Sequence, residues 1–428
     1  MLKRTSVETI KWEKFALTIV AVLLLPSFIG LPFFIITILN KKHATKTDYY
    51  AFGACIALYF AAINATKQVD GDQVNYYFAY MNVPHLGFIG SLKNIYGFAI
   101  AKHGAEGAAN ISGEFMNGVY NYVGYYITFG YYPLFASLLT FVNYYLLFLG
   151  LYKYCQTLKK PHIPFVCGIL IISFFYLYFC FTLQIQKQFL AQSIMMYVMG
   201  EYSLQKRMSY KLWGIVVISV FTHASMLLFV PFFCIKQLRE PLGKWGIFLI
   251  VIMVFVLITQ APTIVGKTLG DSTSNALSYG AQRFGNSIGQ TDHEGDQSLD
   301  IRKLLIIALP MCWILVRKLW TKHKKKSGIN NVFILNVLLL LILTIACMYN
   351  QPLARYRYFM MLYAFMPFVY PFFVDKPKER NIILLGISCI MIIWFYFQFE
   401  HIVWKYAPET DIVICPPAYL IFGGYKII

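Results

Sequence analysis

Four polar clusters interrupt an otherwise apolar chain, and their residue types limit the chemistry open to it. Asp70-Gly71-Asp72, followed by Gln73, Asn75, Tyr76 and Tyr77, sets two carboxylates around a glycine. Such a pair binds a cation, orients a sugar hydroxyl or serves as a general base; an Asp-Gly step is also an ordinary solvated turn. The spacing is not that of a calcium-binding loop. Gln184, Gln186, Lys187 and Gln188 form the second cluster. On a continuous helix Gln184 shares a face with Lys187 and Gln188, and the plainer alternative is a lysine snorkelling to the headgroups. His223, between Thr222 and Ser225, is the third, either a satisfied packing residue or part of a functional site. The fourth is Arg355-Tyr356-Arg357-Tyr358, just after Pro352. Guanidinium forks match phosphate oxygens two at a time, so this cluster points most directly to an anionic ligand.

The elements that carry these clusters follow from the composition. Hydrophobic residues make up 58% of the 428 and charged residues 13%. An ordinary soluble domain carries about 25% charged residues, and a surface this apolar suits lipid. Eleven apolar stretches stand out, at 15–39, 49–65, 131–152, 163–183, 188–202, 212–235, 245–261, 301–316, 332–349, 356–374 and 381–399. Most approach the roughly 20 residues a helix needs to cross hydrocarbon, and open strands cannot satisfy their backbone there. The expected fold is all-α, a polytopic transmembrane helix bundle of about ten or eleven spans forming one membrane domain over residues 1–428. The 25-residue opening run lacks a small-residue cleavage site and reads as an uncleaved anchor.

Charge supplies the sidedness. The segments 41–46, 153–160, 206–211, 317–326 and 376–380 hold 18 of the 37 basic residues and a single acid, Glu379. The segment 67–115 has three lysines against four acids, and 261–300 has two basic residues against five acids. By the positive-inside rule the basic segments face the cytoplasm, while 67–130 and 261–300 are external loops. The net charge of +18 is thereby explained without nucleic acid, since no soluble module gathers the basic residues. The tyrosine-rich 113–132 reads as an aromatic belt at the headgroups, with a sugar-stacking platform as the other reading. The acidic loop 261–300 (Asp271, Arg283, Asp292, Glu294, Asp296 and Asp300) reads as a solvated loop or a cover over a ligand path. Seven of the nine cysteines lie inside apolar stretches as packing residues, and neither a metal site nor a cofactor is expected.

Parity fails at two places. Three apolar stretches separate 206–211 from 317–326, where an even number is required. The stretch 212–235 has basic residues on both flanks and Thr222-His223 at its middle, so a re-entrant segment bent near His223 restores the count. Each arm would then reach about 18 Å, past the midplane. The first stretch, with Pro26 and Pro32 and basic flanks, has the same ambiguity.

On this topology all four clusters lie at the outer side, where Lys187, Arg355 and Arg357 run against the charge rule. Outward-facing cations beside Asp and His suit an anionic, diphosphate-bearing lipid approached from outside. In order along the chain, Asp72-x-x-x-Tyr76, Lys187-Gln188-Phe189-Leu190-Ala191, His223-Ala224-Ser225-Met226, Arg355-x-x-Tyr358-Phe359 and Pro417-Ala418-Tyr419 resemble the motifs of the EpsG family, Wzy-like bacterial exopolysaccharide polymerases. Lys187 stands where that family has arginine. The resemblance implies an enzyme of the bacterial cytoplasmic membrane that transfers a growing glycan from one undecaprenyl diphosphate onto the repeat unit of another. The lipid-linked oligosaccharide and membrane lipid are its expected partners, with other polysaccharide export proteins beside them. On that reading Arg355, Arg357 and Lys187 hold the diphosphate, with Gln188, Tyr76 and Tyr358 in the binding motifs. Asp70, Asp72 or His223 orients or deprotonates the acceptor hydroxyl. A flippase or transporter of lipid-linked oligosaccharides is the rival, though no internal repeat of transporter type is visible.

Overall fold

The structure is a computed structural model that describes residues 9–93, 113–240, 252, 301–320, 332–348, 352–399 and 404–425. Apart from Ile252, the expected span at 245–261 and the acidic loop 261–300 lie outside the described residues. The protein is an all-α membrane bundle, with no strand among the described residues. Its main core is an apolar cluster that runs from Val22 to Ile412, with two smaller clusters around Tyr80–Phe135 and Ala62–Leu420.

The first apolar stretch is a hairpin. Helix α1 (Trp12–Leu24) stops before Pro26, which has no amide hydrogen to continue the ladder, and α2 (Ser27–Asn40) starts after it. Lys14 and Lys41, at opposite ends of this pair, both bind Oδ1 of Asp48, Lys14 at 2.6 Å. Asp48 belongs to the first turn of α3 (Lys46–Ala65), where it forms a capping box with Thr45. Both flanks of the stretch therefore meet at one end of the bundle. Thirteen residues lift the tip about 20 Å. There the Leu25 carbonyl accepts the Tyr59 hydroxyl at 3.3 Å, and Gly30 lets that ring approach: a Cβ would lie 1.7 Å from the Tyr59 oxygen. Cysteines at the exposed positions Glu13 and Lys42 should thus be labelled from the same side, only after permeabilisation. Asp72→Cys should react with an impermeant thiol reagent in intact cells lacking the native cysteines. Labelling of Glu13→Cys and Lys42→Cys from opposite sides would restore a crossing.

The loop expected at 67–130 carries helices of its own: α4 (Asp72–Met81), α5 (Val83–Lys93) and α6 (Met116–Ile127). The tyrosines of the 113–132 segment divide between two roles. Tyr132 is buried and accepts from Gln73 at 3.0 Å, whereas Tyr126 is exposed.

Helix α7 (Tyr132–Cys155) is long and apolar enough to cross a membrane. The next stretch bends by 61° between α8 (His162–Ser173) and α9 (Tyr176–Gln184), which together make one further candidate span. Helix α10 (Gln186–Gln205) has the length but not the hydropathy, because it carries Gln186, Lys187, Gln188, Gln192 and Glu201, all of them buried. It is the inner column of the bundle, shielded from lipid by its neighbours. Gly150 of α7 and Gly200 of α10 allow backbone-to-backbone contact, since a Cβ on Gly200 would sit 2.0 Å from the Gly150 carbonyl oxygen.

The stretch at 212–235 breaks at His223 as the parity requires. Helix α11 (Tyr210–Thr222) ends there, a 3₁₀ turn (Ala224–Phe229) follows, and α12 (Val230–Cys234) leads back. Arg239 then reaches Tyr202, near the end of α10 from which α11 departs. The later stretches form α13 (Ile301–Trp320), α14 (Val332–Cys347), α15 (Pro352–Val369) and α16 (Pro377–Phe399), the last another helix long and apolar enough to span. The short α17 (Glu409–Ile414) and α18 (Pro417–Phe422) close the described chain, and α17 receives the tip of the first hairpin through Ser27.

Candidate functional site

The tip of the second hairpin meets the start of α10, and an ion pair closes the meeting point. Chain direction breaks at Ile185 (φ −122°, ψ 48°), so α10 begins afresh and Lys187 falls in its first turn. A cation there opposes the helix dipole and, once buried, calls for a carboxylate. Glu114 supplies it: the Lys187 Nζ lies 2.6 Å from Oε2, with both side chains almost fully enclosed. The second carboxylate oxygen accepts the Ala224 amide at 3.1 Å and faces the His223 Nε2 at 4.0 Å. The Tyr76 ring covers the ammonium, its centroid 5.9 Å away.

Burial on its own would raise the Glu114 carboxyl. The charges of Lys187 and His223, with the hydrogen bonds from Lys187 and the Ala224 amide, outweigh it and hold the group down to about 2. The group is depressed from its ordinary 4.5, so its stabilising contribution is complete above that value and fades as pH falls toward 2. Thermal melts of detergent-solubilised protein should lose stability across this window, and Glu114→Gln should lack that component. Parallel acid profiles would remove the ion pair from the acid response.

His223 has a local structural duty. Its Nδ1 accepts the Ser225 amide at 3.3 Å, capping the 3₁₀ turn, and lies 2.6 Å from the Ser225 hydroxyl. With Nδ1 accepting, the proton of the neutral ring sits on Nε2, the nitrogen that faces Glu114. The ring in this tautomer donates from Nε2, which fits orienting a ligand better than deprotonating one.

The expected common face of Gln184, Lys187 and Gln188 does not form, because the break at Ile185 puts Gln184 on α9 and the others on α10. Gln188 instead donates to the Arg357 carbonyl at 2.9 Å, and one turn later Gln192 donates to Met361. These bonds fasten the first turns of α15, with half-buried Arg355 and Arg357 and buried Tyr358, against the Lys187 turn. Arginines at a helix N-terminus add to its positive end, an arrangement suited to an anion.

Gln184 turns the other way, donating to the Asp70 carbonyl at 3.1 Å and accepting from Lys67 at 3.3 Å. Lys67 is buried and also donates to Gln73 at 2.7 Å, with its ammonium over the Trp404 ring. Burial pushes that ammonium down to about 8, although Asp70 pulls the other way. The turn itself needs glycine: Gly71 has φ +54°, and a Cβ there would lie 2.2 Å from the Gln184 amide nitrogen. The Asp70 and Asp72 carboxylates are exposed, and Asp70 accepts the Gly71 amide. Asp72 opens α4, where a carboxylate favours the helix start, and lies one turn from Tyr76 on the same face.

The structure thus brings Tyr76, Lys187, Gln188 and His223 together and ties the Arg355–Tyr358 turn to them. Asp70 and Asp72 stand at the rim. Glu114 and Lys67 were missed by sequence reasoning. Glu114 figures there only as one of four acids in 67–115, and its partners lie 73 and 110 residues away. Lys67 gave one weak signal, a lysine on the side where basic residues are few.

The family model described as the EpsG family matches residues 89–407. The chain belongs to the EpsG family. No curated protein and no solved structure matches it. The EpsG match takes in Glu114, Lys187, Gln188, His223, Arg355, Arg357 and Tyr358, whereas Lys67, Asp70, Asp72, Tyr76 and Pro417-Ala418-Tyr419 lie beyond it. Family and fold together make this a membrane protein of exopolysaccharide biosynthesis.

Proposed function

We propose that the protein is a polysaccharide polymerase at the outer face of the bacterial cytoplasmic membrane, a multi-pass enzyme acting on polyprenyl-diphosphate-linked glycans. The carrying observation is the enclosed Glu114–Lys187–His223 cluster fastened to the Arg355–Tyr358 turn in an EpsG-family chain. Buried charges are costly in a membrane protein and mark function by default.

A hydroxyl of the incoming repeat unit attacks the anomeric carbon of the donor glycan. A new glycosidic C–O bond forms, the bond to the diphosphate oxygen breaks, and the bond electrons leave with the diphosphate. Arg355 and Arg357 hold that leaving group, and the His223 Nε2–H donates to charge developing on it. Lys187, paired with Glu114 beneath the Tyr76 ring, keeps the His223 tip in register and adds its ammonium to the positive field around the leaving group. The hydroxyl proton passes to a rim carboxylate, with Asp72 favoured over Asp70 because it shares the Tyr76 face.

Purified protein reconstituted with a lipid-linked oligosaccharide should yield a ladder of chain lengths. Unchanged substrate moved across the bilayer would make it a flippase instead. At matched membrane levels, Arg→Lys at whichever of Arg355 and Arg357 grips the diphosphate should cost about ten- to a hundredfold in rate, the worth of a lost bidentate charged contact. Wild-type ladders from both Lys variants would remove these arginines from the mechanism.

A further inference from the structure

Beside the Lys187 cluster, α6, α7, α10 and α11 enclose a cavity of about 460 Å³. That is inside the range of about 300–1,000 Å³ usual for small-ligand sites. Its walls are aliphatic and aromatic, with Val123, Phe135, Val142, Leu190, Ile194 and Ile218 among them. Its exposed lining is almost wholly apolar, and the Tyr120 hydroxyl is taken by Thr222.

Its position gives it meaning. Leu190 lies one turn past Lys187 on α10. Tyr120, another lining residue, bonds Thr222 at 2.9 Å, and Thr222 immediately precedes His223. The groove therefore begins at the edge of the polar cluster. It then follows α7 from Phe135 to Leu146, about 16 Å toward the opposite end of the bundle. Val123, Ile127 and Ile218 on its walls are partly exposed, so it opens sideways.

We infer that this groove holds the first isoprene units of the carrier lipid, lying along α7 while the diphosphate sits at the Arg355–His223 end. The assignment rests on reading that polar cluster as a diphosphate-lipid site. A ligand whose charged head is held there must lay its tail somewhere adjacent, and this apolar trough starts within one helical turn. Its lateral opening lets a carrier enter from the bilayer without lifting its tail through water. The tail contacts would set a preference for long carriers, because each buried methylene adds to affinity.

The test has a binding arm and a kinetic arm. In the first, wild-type protein is mixed with a sugar-free polyprenyl diphosphate bearing a photoreactive group near the head end of its tail. Adducts should map to residues 119–127 and 215–218. Unlabelled polyprenyl diphosphate should compete at least about tenfold better than phosphatidylglycerol, a gap of roughly 1.4 kcal/mol. Adducts on the lipid-facing side of α16, around Ile390 and Ile393, or equal competition by phosphatidylglycerol, would mean ordinary lipid contact and overturn the assignment. In the second arm, Val142→Trp and Ile218→Trp fill the groove, and Ile393→Trp is the surface control. Half-saturation for a long-tailed donor should rise about tenfold in the groove variants, with a donor whose tail is too short to enter the groove unaffected. Wild-type saturation by the long-tailed donor in both groove variants would overturn the assignment while leaving the polymerase reading intact. Groove adducts from a protein that makes no ladder would do the reverse.

Discussion

Lys187→Gln and Glu114→Gln should each cost the solubilised protein about 3–5 kcal/mol, and combining them should recover most of that stability without recovering polymer. Each single change removes the countercharge of an enclosed group. Lys187→Gln takes the ammonium away from a carboxylate that keeps the Ala224 amide and the His223 ring beside it, and Glu114→Gln takes the carboxylate away from an ammonium under Tyr76. With both neutralised, no charge is buried at this position, and two amides face each other in place of the ion pair. Lys187→Arg should keep activity, because it retains the charge and the Glu114 partner. The readouts are a thermal melt and glycan chain length at matched membrane levels, with single repeats scored as failure. The double variant separates the two meanings of the pair, since a purely structural bridge predicts that polymer returns with stability. Full-length polymer from the double variant would leave Arg355 and Arg357 as the basic candidates. It would also reduce Lys187 to packing.

How much could be foreseen depended on whether the cause was local. The hairpin at 212–235 was legible because basic residues flank it on both sides and a histidine interrupts it. The first stretch showed the same signs, and what settles it is a contact: Lys14 and Lys41 on one Asp48 oxygen. That Asp48 reads locally as a capping residue, and nothing in its neighbourhood announces two lysines 34 and 7 residues off. The polar residues of α10 were legible as anomalies, but not the backbone break that sends Gln184 to Lys67 and Gln188 to Arg357. Ile185 carries no turn signal, and neither glycine nor proline marks the position. Glu114 was hidden for a related reason. A carboxylate in an external loop is the commonest of residues until the tertiary fold buries it.

The Asp70-Gly71-Asp72 segment shows how a motif can have two sufficient causes. Gly71 is required by its left-handed φ and by the Gln184 amide against it, and Asp72 is favoured at a helix start. Neither requirement involves a substrate. What keeps Asp72 in the functional reading is the helix it opens, which carries Tyr76 one turn on, over Lys187.

His223 has the same double character, and one substitution can separate its halves. His223→Asn should preserve the fold and cost on the order of 10²–10³ in polymerisation rate, the usual loss for one donor to a developing negative charge. Asparagine is among the best capping residues, so its side-chain oxygen can take over the Ser225 amide that Nδ1 now accepts. It is too short to place a donor where Nε2 stands, 4.0 Å from Glu114. His223→Ala removes both functions and should add a capping loss of about 0.5–2 kcal/mol to the kinetic one. A histidine that serves only as a cap predicts full-length glycan from the asparagine variant at normal membrane levels. The pH profile then tells donor from base. An imidazole acting as base loses rate as acid protonates it, whereas one donating from Nε2 keeps that proton in both of its states. Wild-type protein should therefore show no acidic rate loss that disappears in His223→Asn. An acidic limb present in the wild type and absent in the variant would make His223 the base, and would release Asp72 from that role.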